Sequence, residues 1–188
     1  MRTRAALPLN IRDRLGLTAT TPLAVNVAAL VDHKDQATLI RAAHAARGLA
    51  ADLHWAIAGD GELRGALERH IAELDLGDRV HLLGYVPEAD ALIREGNVFV
   101  MSSKEEGLGS VVLDALALGK PIVATRAGGL PEIVPADGLV PVGDAMALGR
   151  KVVAALVPRS PLPVPPFPER FTATAMAAAV LACSRSLA

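Results

Sequence analysis

Two acidic residues and a group of glycines concentrate the chemical potential of this sequence. Glu106 and Asp114 are separated by seven residues within SSKEEGLGSVVLDALALGKPIVATRAGGLPEIV, the stretch from Ser102 to Val134. Gly107 and Gly109 let the backbone turn sharply from a strand into a helix and let a ligand approach the peptide amides. The turn through Gly107, Leu108, Gly109 and Ser110 then offers unpaired N–H groups and the positive end of a helix dipole, an anion site suited to a diphosphate. Asp114 follows roughly 7 Å further along the axis, which suits a ribose hydroxyl. Glu106, just before the helix, can accept hydrogen bonds from a sugar beyond the phosphates. The plainer alternative is that these acids only complement the helix dipole and solvent.

Such a turn needs a strand before it and a helix after it, and the chain supplies both repeatedly. Apolar runs of strand length, Leu23 to Leu30, Leu53 to Ala58, Val80 to Leu83, Val98 to Met101 and Ile122 to Thr125, alternate with stretches of helical periodicity. The helical stretches are Gln36 to Arg47, Glu62 to Leu74, Glu88 to Arg94, Gly109 to Leu118, a short one at Leu130 to Val134, and Asp144 to Val157. This alternation predicts an α/β fold, a Rossmann-like parallel sheet of about six strands with helices on both faces. Ligands of such sheets sit at the carboxyl ends of the strands, at a switch point in strand order. The loops there are rich in Gly, Asp, Glu and Lys. GDGELRG, after the second strand, has Arg64 where a dinucleotide fingerprint needs its third glycine, so that motif is incomplete.

Composition narrows the classes further. The chain has 188 residues, 52% hydrophobic and 3% aromatic, with a net charge of −1. No broad positive field and few stacking platforms argue against nucleic acid as a partner. Mean hydropathy is +0.36, yet no apolar run reaches the roughly 20 residues of a membrane span. The aliphatic residues are spread along the chain, as strands buried on both faces require. Met1 to Leu17 is interrupted by Pro8, Asn10, Arg12 and Asp13 and does not read as a secretory leader. Cys183 stands alone, which excludes an internal disulfide and argues for a reducing, cytoplasmic setting. One cysteine and five scattered histidines give no zinc spacing. The expected organisation is a lead-in over 1–21, a domain over 22–157, a Pro-rich connector over 158–168 and a final helix within 169–188.

The acidic segment resembles the signature of glycosyltransferase family 4, retaining enzymes of the GT-B fold in which two glutamates are separated by seven residues. EGLGSVVLDALALGKPIVAT and GGLPE reproduce the pattern, with Asp114 in place of the second glutamate. NVAALVDHKDQATLIRAA, AGDGELRGALE and DRVHLLGYVPE match further family segments in the expected order. The resemblance covers about Pro22 to Gly143 and implies the donor-binding, C-terminal half of a GT-B enzyme.

Carried over residue by residue, it makes Lys34 and Glu106 catalytic. Lys34 would pair with the donor diphosphate and stabilise the charge that develops as the sugar leaves, and Glu106 would hold the donor sugar. Asp114 would hold the ribose, the backbone around Tyr85 and Val86 would meet the base, and Gly59 and Gly61 would admit the donor or a facing domain. Gly128 and Gly129 either lie against the donor sugar or only shape a turn. His33, beside Lys34, can reach the same cleft. No metal or other cofactor is implied. The family often has an arginine where this chain has Ala29, and Arg126 is the one candidate to substitute for it. The implied partners are a nucleotide sugar and an acceptor-binding N-terminal domain, on the same chain or a separate one, without which transfer is not expected. Localisation is expected to be cytoplasmic, with peripheral membrane attachment open for a longer enzyme. Two alternatives stay open: a noncatalytic nucleotide-sugar-binding module, and a sugar epimerase on the same architecture.

Overall fold

The computed structural model describes residues 10–156 and, beyond them, Pro168, Glu169, Thr172, Thr174 and Ala175. The expected Pro-rich connector apart from Pro168, the body of the final helix and Cys183 lie outside the described residues. Six strands form one parallel sheet: β1 Leu23–Val27, β2 His54–Ala58, β3 Val80–Gly84, β4 Val98–Met101, β5 Ile122–Thr125 and β6 Leu139–Val140. Their spatial order is β3-β2-β1-β4-β5-β6, so the chain winds outward in both directions from the junction of β1 and β4. That junction is the switch point.

Helices cover both faces, as the alternation predicts. Side chains alternate along each strand, and β2 shows the result: Trp55 and Ile57 enter one core, Ala56 and Ala58 the other. The first core lies under α2 Gln36–Ala46, α3 Arg64–Glu73 and α6 Ala145–Ala155, through Leu39, Ile40, Leu67, Leu148 and Val152. The second lies under α4 Ala89–Glu95 and α5 Ser110–Ala117, through Leu92, Ile93, Val112 and Leu116. Phe99, on β4 in the middle of the sheet, is fully buried in this second core. Truncating such a ring to alanine costs about 3–5 kcal/mol.

Four details differ from the sequence expectation. The two-residue β6 is too short to give a periodic signal, and Leu130–Glu132 is a single 3-10 turn rather than a helix. The lead-in contributes to the core: α1 Ile11–Arg14 buries Ile11, and Arg12 donates to the carbonyls of Thr18, Thr21 and Glu95 and to Asn97. The first strand also ends at Val27, three residues before the end of its apolar run. Beyond it, Ala28 and Ala29 line the crevice, while Leu30 turns back into the core.

Candidate active site

The crevice opens where β1 and β4 part. Their ladder pairs Ala24 with Val98 and Val25 with Phe99. The next residue of β1, Asn26, is buried, and its Nδ2 donates to the Val100 carbonyl at 2.8 Å. A side chain thus spans the gap just before the two strands send their loops outward.

Lys34 is presented by the loop after β1. A 3-10 turn at Asp32–Lys34 leads into Asp35, which caps α2 by accepting from the Thr38 N–H at 3.2 Å and the Thr38 hydroxyl at 2.6 Å. A capped helix start fixes the chain direction immediately after the lysine. Glu106 is presented by the loop after β4. Although 72 positions apart in sequence, the two side chains meet, with Lys34 Nζ 2.6 Å from Glu106 Oε2. Both are largely sheltered, at 18% and 10% side-chain exposure, so this pair is screened less than an ordinary surface ion pair.

Several bonds lock the two loops into one unit. The Ser102 hydroxyl donates to the Lys34 carbonyl at 3.0 Å, the Lys104 N–H to the His33 carbonyl at 2.8 Å, and Lys104 Nζ pairs with Asp32 at 2.9 Å. On the other side, the Ser103 hydroxyl donates to Glu106 Oε2 at 3.1 Å, and the Thr125 hydroxyl of β5 to the Ser103 carbonyl at 2.6 Å. Ser102, Ser103 and Thr125 are fully buried. Residue type and spacing do not single out these three residues. Their only signal is a pair of serines at the end of the apolar strand Val98–Met101, where hydroxyls would otherwise be costly to bury.

Gly109, at φ +69°, directs the chain into α5, whose first-turn amides open toward this loop. Leu108 and Ser110 are exposed beside it. Gly128 and Gly129 pack against the acidic loop itself: a Cβ on Gly128 would collide with the Glu106 carbonyl and one on Gly129 with the Gly107 carbonyl, and the Gly129 N–H donates to Gly107 O at 3.0 Å. This close approach is reason enough for both glycines.

Two hollows lie at the carboxyl ends of the strands, with no lining residue in common. One, of about 390 Å³, is lined by His33, Lys34, Glu105, Glu106 and Gly107. The other, of about 270 Å³, is lined by Val27 to Ala29, Ala58 to Asp60, Tyr85 and Val86. The first is charged and the second chiefly apolar, with Tyr85 largely exposed at its edge. Gly59, at φ +144°, brings its α-carbon against the Ala28 carbonyl, and Gly61 does the same at Leu30. Both glycines are thus explained by contact between the first two loops. Asp114 lines neither hollow. It lies on the exposed face of α5, its carboxylate has no hydrogen-bond partner among the described residues, and the loss of part of its hydration against the protein, assisted by the charge of Asp90, raises its pKa.

The departures stand out against this frame. Ala29 is exposed, its carbonyl held by Gln36 Nε2 at 2.9 Å, and contributes no charge. Arg126 points elsewhere, toward the Ala136 carbonyl at 3.5 Å. A cavity of about 490 Å³, larger than either hollow, lies at the opposite, amino end of the strands. Within its lining Arg79 pairs with Asp78 at 3.0 Å, and His54 stacks on the neighbouring His81 with ring nitrogens 3.0 Å apart. Burial holds both imidazoles below their ordinary pKa. Size favours that end of the sheet, while the convergence of charge, helix terminus and switch point favours the crevice.

Comparison with known proteins bears on the family and the fold. Residues 9–160 match the family described as Glycosyl transferases group 1. The lipopolysaccharide core biosynthesis glycosyltransferase LpsE of Rhizobium meliloti is 33% identical over 145 residues, covering 75% of this chain and 41% of that protein. A GDP-mannose-dependent monoacylated alpha-(1-6)-phosphatidylinositol monomannoside mannosyltransferase of Corynebacterium glutamicum is 34% identical over 143 residues, covering 71% of this chain and 37% of its own. The chain therefore spans about two fifths of the length of these curated relatives. Among solved structures, Anabaena HepE in complex with UDP and glucose superposes with a TM-score of 0.82 at 21% identity, over 94% of this chain and 51% of that one. The likeness extends to the Rossmann-like fold of GT-B glycosyltransferases. With a family match over most of its length and the parallel sheet that goes with it, the chain belongs to the glycosyl transferases group 1 family.

Proposed function

We propose that this chain is the donor-binding domain of a retaining, family 4 glycosyltransferase that moves a sugar from a nucleoside diphosphate to an acceptor held by an N-terminal domain. The observation that carries the reading is the meeting of Lys34 and Glu106 at the switch point, beside the start of α5. The apolar hollow at Ala28, Gly59 and Tyr85 takes the base, and Asp114 the ribose. The α5 amides and Lys34 take the diphosphate, and Glu106 a hydroxyl of the donor sugar.

In transfer, the bond between the anomeric carbon and the diphosphate oxygen breaks, and the electron pair leaves with the nucleoside diphosphate. A bond to the acceptor oxygen forms on the same face as the acceptor's O–H bond breaks, and its proton passes to the departing diphosphate oxygen. Lys34 and the helix terminus stabilise the charge that grows on the leaving group, and the reading gives a metal no part in this. Lys34 must exchange Glu106 for phosphate when the donor enters, so the ion pair holds the lysine in place until then. Transfer also needs the acceptor aligned and water excluded, which requires the second domain.

Relatives named for GDP-mannose and a fold neighbour bound to UDP support the nucleotide-sugar class without selecting a base. Calorimetric titration with UDP- and GDP-sugars tests the reading. Wild type is expected to bind one series, and Lys34→Ala and Glu106→Ala to lose at least tenfold in affinity; undiminished binding in both variants removes the assignment. A second reading, a noncatalytic nucleotide-sugar-binding module, draws on the uncharged Ala29. Transfer by the chain once joined to an acceptor domain separates the two.

A further inference from the structure

The Lys34–Glu106 pair poses a question about its acidic member. When Lys34 turns to the donor diphosphate, Glu106 loses its shortest hydrogen bond while its carboxylate stays almost fully sheltered. A sheltered carboxylate without a donor is costly, and a glutamate has several rotatable bonds through which to escape to solvent. One further donor reaches it. The Ser103 hydroxyl lies 3.1 Å from Oε2, the same oxygen that faces Lys34.

We infer that Ser103 is a positioning residue that keeps the Glu106 carboxylate aimed at the donor sugar after Lys34 has changed partners. The inference rests on the donor-binding reading above. Ser103 is suited to this role by its own anchorage. It is fully buried, and its carbonyl accepts from the Thr125 hydroxyl at 2.6 Å, so its backbone is tied to the neighbouring strand. Its hydroxyl has a single proton to give, and that proton is directed to Glu106. The adjacent Ser102 holds the Lys34 carbonyl at 3.0 Å. The two serines therefore steady the two members of the pair by separate contacts, and loss of one leaves the other in place.

A serine bonded to a carboxylate three residues on can also be no more than a loop staple. The two roles differ in what they affect. A staple supports the whole loop, including the α5 amides, and its loss weakens sugar-bearing and sugar-free ligands alike. A positioning residue for Glu106 affects only ligands that carry the sugar.

The test is titration of wild type, Ser103→Ala and Ser103→Cys with UDP-glucose and GDP-mannose and, in parallel, with UDP and GDP. For whichever series wild type binds, Ser103→Ala is expected to lose about 10- to 150-fold in affinity for the nucleotide sugar, the scale of one hydrogen bond to a charged acceptor. Affinity for the matching nucleoside diphosphate should stay within about twofold. Ser103→Cys, which fills the site with a weaker donor, carries the same expectation should the alanine variant not fold. Equal weakening of both ligands, or weakening of neither, overturns the positioning role while leaving the donor-binding reading intact. Wild type that binds no nucleotide sugar and no nucleoside diphosphate overturns that reading, and the positioning role with it.

Discussion

On the β4 side of the crevice the site is made of side chains: Lys34, Glu106, Ser102 and Ser103 meet through charged and hydroxyl groups. On the β2 and β3 side it is made of backbone, where Gly59 and Gly61 let the second loop lie directly on Ala28 and Leu30 and leave an apolar hollow edged by Tyr85. The charged half holds its functional side chains by interactions that can be exchanged for those of a ligand, while Gly128 and Gly129 support its acidic loop from behind by close backbone contact. The apolar half holds its parts by contact distances that tolerate no added atom. One half can reorganise as a donor binds, and the other serves as a fixed floor.

Substitution should expose that difference most strongly at the glycines. Gly59→Ala adds a Cβ that collides with the Ala28 carbonyl at a φ of +144°. Strain and overpacking together should lower unfolding free energy by about 2–6 kcal/mol in a denaturant titration. Gly107→Ala, in the charged half, enters open space. It should change stability by less than about 0.5 kcal/mol while weakening nucleoside diphosphate binding. Equal destabilisation by the two substitutions would break the comparison.

The smallest effect is expected at Asp114, on the helix that borders the charged half. Burial and the neighbouring Asp90 raise its pKa above 3.8 in the folded chain. A carboxyl raised on folding stabilises the protein only while protonated, so its contribution is lost as pH rises from 3.8 through the folded value. Asp114→Asn should therefore be slightly more stable than wild type at pH 7, with the difference vanishing on acidification through that window. Thermal unfolding at pH 7 and below pH 3.8 measures it. A variant less stable at pH 7 would mean that the carboxylate has a structural partner.

What could be seen in the sequence follows the same division. Glu106 and Gly109 are recognisable because their chemistry belongs to residue type and to spacing along one segment, whereas Lys34 is singled out only by the family resemblance. The α/β alternation is recognisable because each strand is one apolar run. Other features depend on what lies opposite in space, which no local pattern carries. Ser103 matters because Glu106 and Thr125 are beside it, and Asn26 because β1 and β4 diverge there. Gly128 and Gly129 suggest ligand contact in the sequence, whereas their nearest neighbours are the backbone of Glu106 and Gly107. The short β6 and the burial of Ile11 likewise arise from tertiary packing rather than periodicity.

The central claim is that one ligand is held across both halves of the crevice and not in the larger cavity at the other end of the sheet. Amide chemical-shift mapping during titration with UDP or GDP tests it directly. The account requires the largest shifts at residues 28–34, 59–60, 85–86 and 107–111, with residues 15–22, 52–54 and 78–81 unmoved. Shifts concentrated around Leu17, His54 and Arg79 would contradict it.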